Sequence, residues 1–172
     1  MSGPAGVARL AAAGPFDHLV IATSAGGRAS SIPGTAPAEA RAAFGRFWTA
    51  YDLLHAAGDL VRRGGSVTLI SGSSGRRPGA GFGFWSTLHG SIEALARAAT
   101  LELAPTRINV VSPGGIGLRP DRQLAEHAGS PDDIGAAALA LIANPAITNA
   151  VLDVDGGERL GRWSGSPVTV AA

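Results

Sequence analysis

The sequence predicts an α/β domain in three layers, a four-stranded parallel sheet with helices on its faces. Three observations predict it. Short apolar, β-branched runs at 17–23, 67–70, 108–111 and 151–154 each end in a loop of small residues bearing Gly or Pro. Longer stretches with apolar residues at spacings of three and four separate them. The connections are short, and the order β-α-β-α-β-α-β with short connections is that of a parallel sheet covered by its crossover helices. At 172 residues the whole of 1–172 reads as one domain, large enough to bury a core without staples.

Residues 1–15 are small and rich in Gly and Pro, and read either as a frayed leader or as a short docked helix over Val7 to Ala13. Asp17 to Thr23 is a buried strand entering the Ser24-Ala25-Gly26-Gly27 loop. Residues 28–37 are loop. Pro37-Ala38-Glu39 opens a helix expected to run to about Arg62, with Phe44, Phe47, Trp48, Tyr51 and Leu54 on one face. The next strand is expected at Val67 to Ile70. After the Arg76-Arg77-Pro78-Gly79 loop, Gly83-Phe84-Trp85 leads into a long helix on which Leu88, Ile92, Leu95, Ala99 and Leu103 recur on one side. Ile108 to Val111 is the third strand, ending at Ser112-Pro113-Gly114-Gly115. Ser130-Pro131-Asp132-Asp133 caps and opens the last helix, which stops at Asn144-Pro145. Val151 to Val154 is the final strand.

Composition excludes several chemistries. There is no cysteine, so thiolate nucleophiles, thiolate metal sites and disulfides are out. There is no lysine either: all fourteen basic residues are arginine, which removes Schiff-base chemistry. The net charge of +1 comes from scattered arginines with no basic stripe, so nucleic acid is not an expected partner. No apolar run reaches the roughly 18 residues of a membrane span. His18, His55, His89 and His127 show no metal-ligand spacing. A bacterial, cytoplasmic protein is the expectation.

Four segments carry a resemblance. Asp17-His18-Leu19-Val20 before its Gly loop, Gly65 to Ser71, the run from Leu101 to Gly114, and Val154-Asp155-Gly156-Gly157 resemble the later strands of a short-chain dehydrogenase/reductase. The match covers roughly 14 to 158. It implies a truncated Rossmann-like fold, the C-terminal half of that family's domain. Members begin with a βαβαβ half whose Gly-rich turn grips a dinucleotide. The sequence starts about where the third helix of the family would end, so the expectation is that no cofactor binds. Gly79-Ala80-Gly81-Phe82-Gly83 imitates the fingerprint but follows the wrong strand, and reads as loop.

The family's mechanism uses a Tyr and a Lys four residues apart on the long helix, a Ser on the preceding strand and an Asn on the helix before. The matching positions here hold Trp85, His89, Gly72 and Arg46. An indole N–H donates but cannot accept or release a proton as a phenol does. His89, at i+4 from Trp85, could transfer protons near neutral pH, or could be a half-buried histidine bonded to a backbone carbonyl. Arg46 could polarise a substrate oxygen, or lie solvated on its helix. Ser71, Ser73 and Ser74 could orient a substrate oxygen or cap a turn. The expected catalytic set is therefore His89, Arg46, Ser71 and Ser73. The expected pocket is Trp85, Phe82, Phe84, Thr23, Ser24, Pro113 and Gly114, although the aromatics could equally pack the sheet.

Three functions follow as expectations. The first is a cofactor-independent enzyme doing acid–base chemistry (cyclisation, isomerisation or dehydration) on a small apolar biosynthetic intermediate. The second is a non-catalytic binding or assembly subunit that pairs with a full-length relative. The third is an atypical NAD(P)-dependent oxidoreductase. The resemblance also implies a homodimer or tetramer joined through helices at about 38–62 and 84–103.

Overall fold

A computed structural model describes residues 3–23, 31–114, 116, 123–125, 127 and 129–160. Its elements run α1 (Pro4–Ala13), β1 (Phe16–Ile21), α2 (Pro37–Ala43), α3 (Gly45–His55), α4 (Ala57–Leu60), β2 (Val61–Ile70), α5 (Gly83–Glu102), β3 (Arg107–Pro113), α6 (Pro131–Ala143) and β4 (Val151–Val154). One-turn 3₁₀ segments occupy Ser73–Gly75 and Glu158–Leu160. The four strands form one sheet in the order β1-β2-β3-β4, every pair parallel. The expected α/β sheet with four parallel strands is thus the observed one.

Alternation along the strands splits the core in two. Val67, Leu69, Ile108 and Val110 face α3 and α5, joined there by Leu53, Leu88 and Ile92. Ile70 and Val111 face the other way, onto Ala137, Ala138 and Leu141 of α6. Of the two readings of the N-terminus, the docked helix is what forms: Val7 and Leu10 of α1 pack on the first cluster.

The helix expected over 38–62 is three segments instead. It breaks at Phe44, next to Gly45, and at Ala56, two residues before Gly58, and glycines weaken a helix interior. Its last residues leave the helix altogether, because Val61 is extended (φ −121°) and pairs with Phe16. The second strand is consequently ten residues rather than four. Its pairing steps from Phe16↔Val61 to His18↔Ser66, a bulge of three extra residues on β2. Gly64 takes φ +83° inside that bulge, and Gly65 passes so close to the Asp17 carbonyl that no Cβ fits.

Two pins hold β3 to its neighbours at the N-terminal edge. Arg107 donates to four carbonyls at the end of α6 and beyond: Leu141 (2.9 Å), Ile142 (3.0 Å), Asn144 (3.1 Å) and Ile147 (2.8 Å). Asn109 clamps the approach to β4, donating to the Ile147 carbonyl and accepting from the Ala150 N–H, each at 3.0 Å. At its other end α6 starts on the expected cap: Ser130 and Asp133 close a reciprocal capping box. Because all four strands are parallel, the loops after β2, β3 and β4 converge at the C-terminal edge of the sheet.

Candidate active site

Three loops build a cleft at that edge. The 3₁₀ turn after β2 brings Ser73 and Ser74, and the end of β3 brings Pro113, Gly114 and the nearby Ile116. The turn after β4 folds back to bring Glu158, while Trp85 and His89 project from the start of α5 and Phe82 from just before it. The cleft encloses about 410 Å³. A polar annex of about 330 Å³ continues it past Ser73, Ser74, Phe82 and Glu158 to Arg77 and Arg159.

His89 is the centre of the arrangement. Its Nδ1 lies 2.9 Å from Ser74 Oγ, and its ring stacks on Trp85 with centroids 5.9 Å apart. Backbone Gly72 is the reason the ring fits: a Cβ there would stand 2.5 Å from Cε1 and 2.6 Å from Nδ1. Burial, seconded by the Arg46 charge, lowers the His89 pKa to about 4. The imidazole is therefore neutral at physiological pH. If Ser74 donates to Nδ1, the proton sits on Nε2; if Nδ1 donates, Nε2 is a free base.

Arg46 takes no place in the cleft lining. Its Nε donates to the Thr23 carbonyl at 2.7 Å, and its guanidinium lies over the Trp85 ring, 5.8 Å from the centroid. Its charge is the second cause, after burial, of the lowered His89 pKa. Ser71 is likewise away from the cleft: it is buried and donates to Glu93 Oε1 at 3.1 Å. Phe84 turns inward too, 8% exposed, onto Phe44 and the core beneath α5. Thr23 meets the site only through Arg46, and Ser24 lies outside the described residues. Six expected residues do come together: His89, Ser73, Trp85, Phe82, Pro113 and Gly114. Ser73 makes no side-chain hydrogen bond among the described residues, so its hydroxyl is available to a ligand.

Sequence reasoning missed a buried charge network beside the cleft. Glu93 on α5, 2% exposed, takes Arg76 Nε at 3.3 Å as well as Ser71. Arg76 reaches on to Asp153 of β4, which also holds Arg159 at 2.6 Å. A lone Glu on an apolar helix face was the available signal. Glu158 was missed as well. It reaches the cleft because Gly156 (φ +60°) and Gly157 (φ +82°) turn the chain back over the strand ends, something that Asp-Gly-Gly after a strand signals. Asp153 is engaged by two arginines, so no Ser-His-Asp triad forms with Ser73 and His89. Among the described residues no group of three or more His, Cys, Asp or Glu could hold a metal, and no helix is long and apolar enough to cross a membrane.

A parallel sheet of this kind, with α5 lying beneath a cleft at the C-terminal edge, is the architecture of a Rossmann-like α/β domain, whose ligands bind beyond the carboxyl ends of the strands. Residues 11–158 match the family model described as Enoyl-(Acyl carrier protein) reductase, and the chain belongs to this branch of the short-chain dehydrogenases/reductases. The short-chain dehydrogenase/reductase ATR9 of Stachybotrys chlorohalonatus is 28% identical over 165 residues, which cover 86% of this chain and 65% of that protein. The chain therefore spans less than two thirds of that relative. A crystal structure of a small-chain dehydrogenase superposes with TM-score 0.80 at 31% identity, over 90% of this chain and 76% of that one. The MalC reductase/Diels-Alderase of Malbranchea aurantiaca shares the fold at TM-score 0.78 and 21% identity, over 90% of this chain and 66% of that one.

Proposed function

We propose that the cleft performs acid–base chemistry without a nicotinamide cofactor: a cyclisation, isomerisation or dehydration of a small, largely apolar intermediate. The neutral His89 carries this reading. A neutral imidazole accepts a proton at pH 7 without first losing one, and its conjugate acid, with a pKa of about 4, returns the proton readily. Ser74 orients the ring, Ser73 offers a hydroxyl to a substrate oxygen, and Trp85 and Phe82 form the wall.

The same residues do not fit the nicotinamide end of a dinucleotide. The family's lysine binds the nicotinamide ribose and, as a cation, lowers the pKa of the tyrosine. His89 is uncharged and tied to Ser74. The sequence's single tyrosine, Tyr51, is on α3 against His55 and not in the cleft. Gly72 presents no hydroxyl, and the imidazole fills the space a serine would need. A relative whose name joins reductase with Diels-Alderase is consistent with ring-forming chemistry on this scaffold.

The test is untargeted mass spectrometry of a small-molecule extract incubated with the protein in deuterated water. The expected result is a compound that isomerises, loses water or gains deuterium without added nucleotide, and that is unchanged by the His89→Ala variant. A product of two-electron reduction that requires NADH or NADPH would overturn the proposal, as would saturable micromolar binding of either nucleotide by fluorescence titration. The working unit is proposed to be a homodimer or tetramer through α2–α4 and α5; the alternative, pairing with a full-length relative, uses the same helices.

A further inference from the structure

We infer that the polar annex of the cleft binds a zwitterionic head group of the α-amino acid type, with the apolar remainder of the ligand lying against Phe82 and Trp85. The inference rests on the cleft being the working site and adds the class of substrate. Arg77 and Glu158 line the same annex, and neither makes an ion pair among the described residues. The neighbouring charges are already spent: Arg76 is held by Glu93 and Asp153, and Arg159 by Asp153 and Asp155. One cation and one anion therefore face the same space without neutralising each other.

The glutamate is placed there by the backbone. At Gly114 an added Cβ would stand 2.9 Å from Glu158 Oε2 and 2.6 Å from Ser73 Oγ, so both oxygens crowd over a bare Cα at the cleft floor. Ser73 and Ser74 line both the annex and the main cleft, supplying hydroxyls at the junction. A simple anion in the annex would meet Arg77 but also the Glu158 carboxylate. A simple cation would meet the reverse. A ligand carrying an ammonium and a carboxylate on one carbon satisfies both, with the carboxylate on the planar guanidinium fork and the ammonium on Glu158. Its side chain then points along the cleft toward the stacked Trp85 and His89 rings.

Isothermal titration calorimetry with L-tryptophan, tryptamine and indole-3-propionate separates the two charges. L-Tryptophan is expected to bind about tenfold tighter than either singly charged analogue, one charge-assisted contact each way. Arg77→Gln should erase its advantage over tryptamine, and Glu158→Gln its advantage over indole-3-propionate. Arg41→Gln, in a separate apolar hollow beside α2, should change neither. Circular dichroism confirms that each variant is folded. Equal affinity for L-tryptophan and either analogue overturns the inference, as does failure of all three to saturate below about 10 mM, or a preference that survives both cleft substitutions. His89→Ala should keep the zwitterion preference. Turnover that survives His89→Ala with the preference intact thus refutes only the catalytic reading, and a wild-type protein that turns over its compound but shows no zwitterion preference refutes only the head group.

Discussion

At Gly72 the backbone runs so close to the His89 imidazole that a Cβ would stand 2.5 Å from Cε1, inside any real carbon–carbon contact. The glycine and the histidine therefore depend on each other, since the ring occupies the volume a side chain would claim. Restoring a serine alone, Gly72→Ser, should expel the ring from its place by Ser74 and Trp85. The expected cost is about 1–3 kcal/mol by urea denaturation, as for other overpacked sites. The His89 NMR signals should move toward those of a solvated imidazole. A Gly72→Ser protein with wild-type stability and His89 shifts would break the dependence. Titration reports on the same ring. With a folded pKa of about 4 against an unfolded value near 6.5, the folded state holds fewer protons between those limits. The His89 contribution to stability is therefore full above about pH 6.5 and is lost as the pH falls toward 4. Activity that uses neutral His89 should stay level from pH 8 down to about 5.5 and then fall. Arg46→Leu removes the second cause of the shift and should raise the midpoint, measured by imidazole NMR; an unchanged midpoint would show that the Arg46 charge does not reach the ring.

Among the elements, β3 shows why the run from Leu101 to Gly114 carried the resemblance. Arg107 and Asn109 do no chemistry. They satisfy carbonyls where α6 and the following turn would otherwise end unpaired, and they fix β4 against β3. Only a guanidinium can fork to four acceptors at once. Arg107→Met should lower stability by about 2 kcal/mol, and Arg107→Lys should restore less than half of it, read from urea midpoints. Equal midpoints for the two variants would mean that packing of the stem, rather than the fork, matters. The elements themselves were legible because strands and helices follow local periodicity: β3, β4, α5 and α6 lie within a residue or so of their expected bounds, apart from a β3 that reaches to Pro113. The expected helix over 38–62 differs from the observed segments because its aromatic spacing continues across Phe44, which outweighs the weak local signal of Gly45 and Gly58, while the pairing of Val61 with Phe16 acts only once the chain has folded. In the site, His89 and Trp85 were legible as neighbours four residues apart on a helix. The retreat of Ser71 to Glu93, and the return of Glu158 over β3, depend on contacts between residues far apart in sequence, which periodicity does not encode.

At the scale of the whole molecule, α3 presents an exposed aromatic face. Trp48 (55% exposed) and Tyr51 (47%) stand out from α3, and their rings join Phe47 and His55 in a continuous aromatic row. Beside the row, Tyr51, Leu54 and His55 face Leu95 and Ala98 of α5 and Leu103 just past its end across a shallow groove. Small residues on α5 let a second helix pair approach closely, and a symmetric partner would bring the same row and groove to each side. This is the face expected to join copies of the chain. Burial of two indole and two phenol rings per dimer should hold the pair together at micromolar concentration. Sedimentation velocity at about 10 μM is expected to give a dimer or tetramer. The Trp48→Asp variant, altered at a side chain already half in solvent, should sediment as a folded monomer. A wild-type chain that runs as a monomer across this range would remove the self-association, and a dimer that survives Trp48→Asp would move the interface to another face.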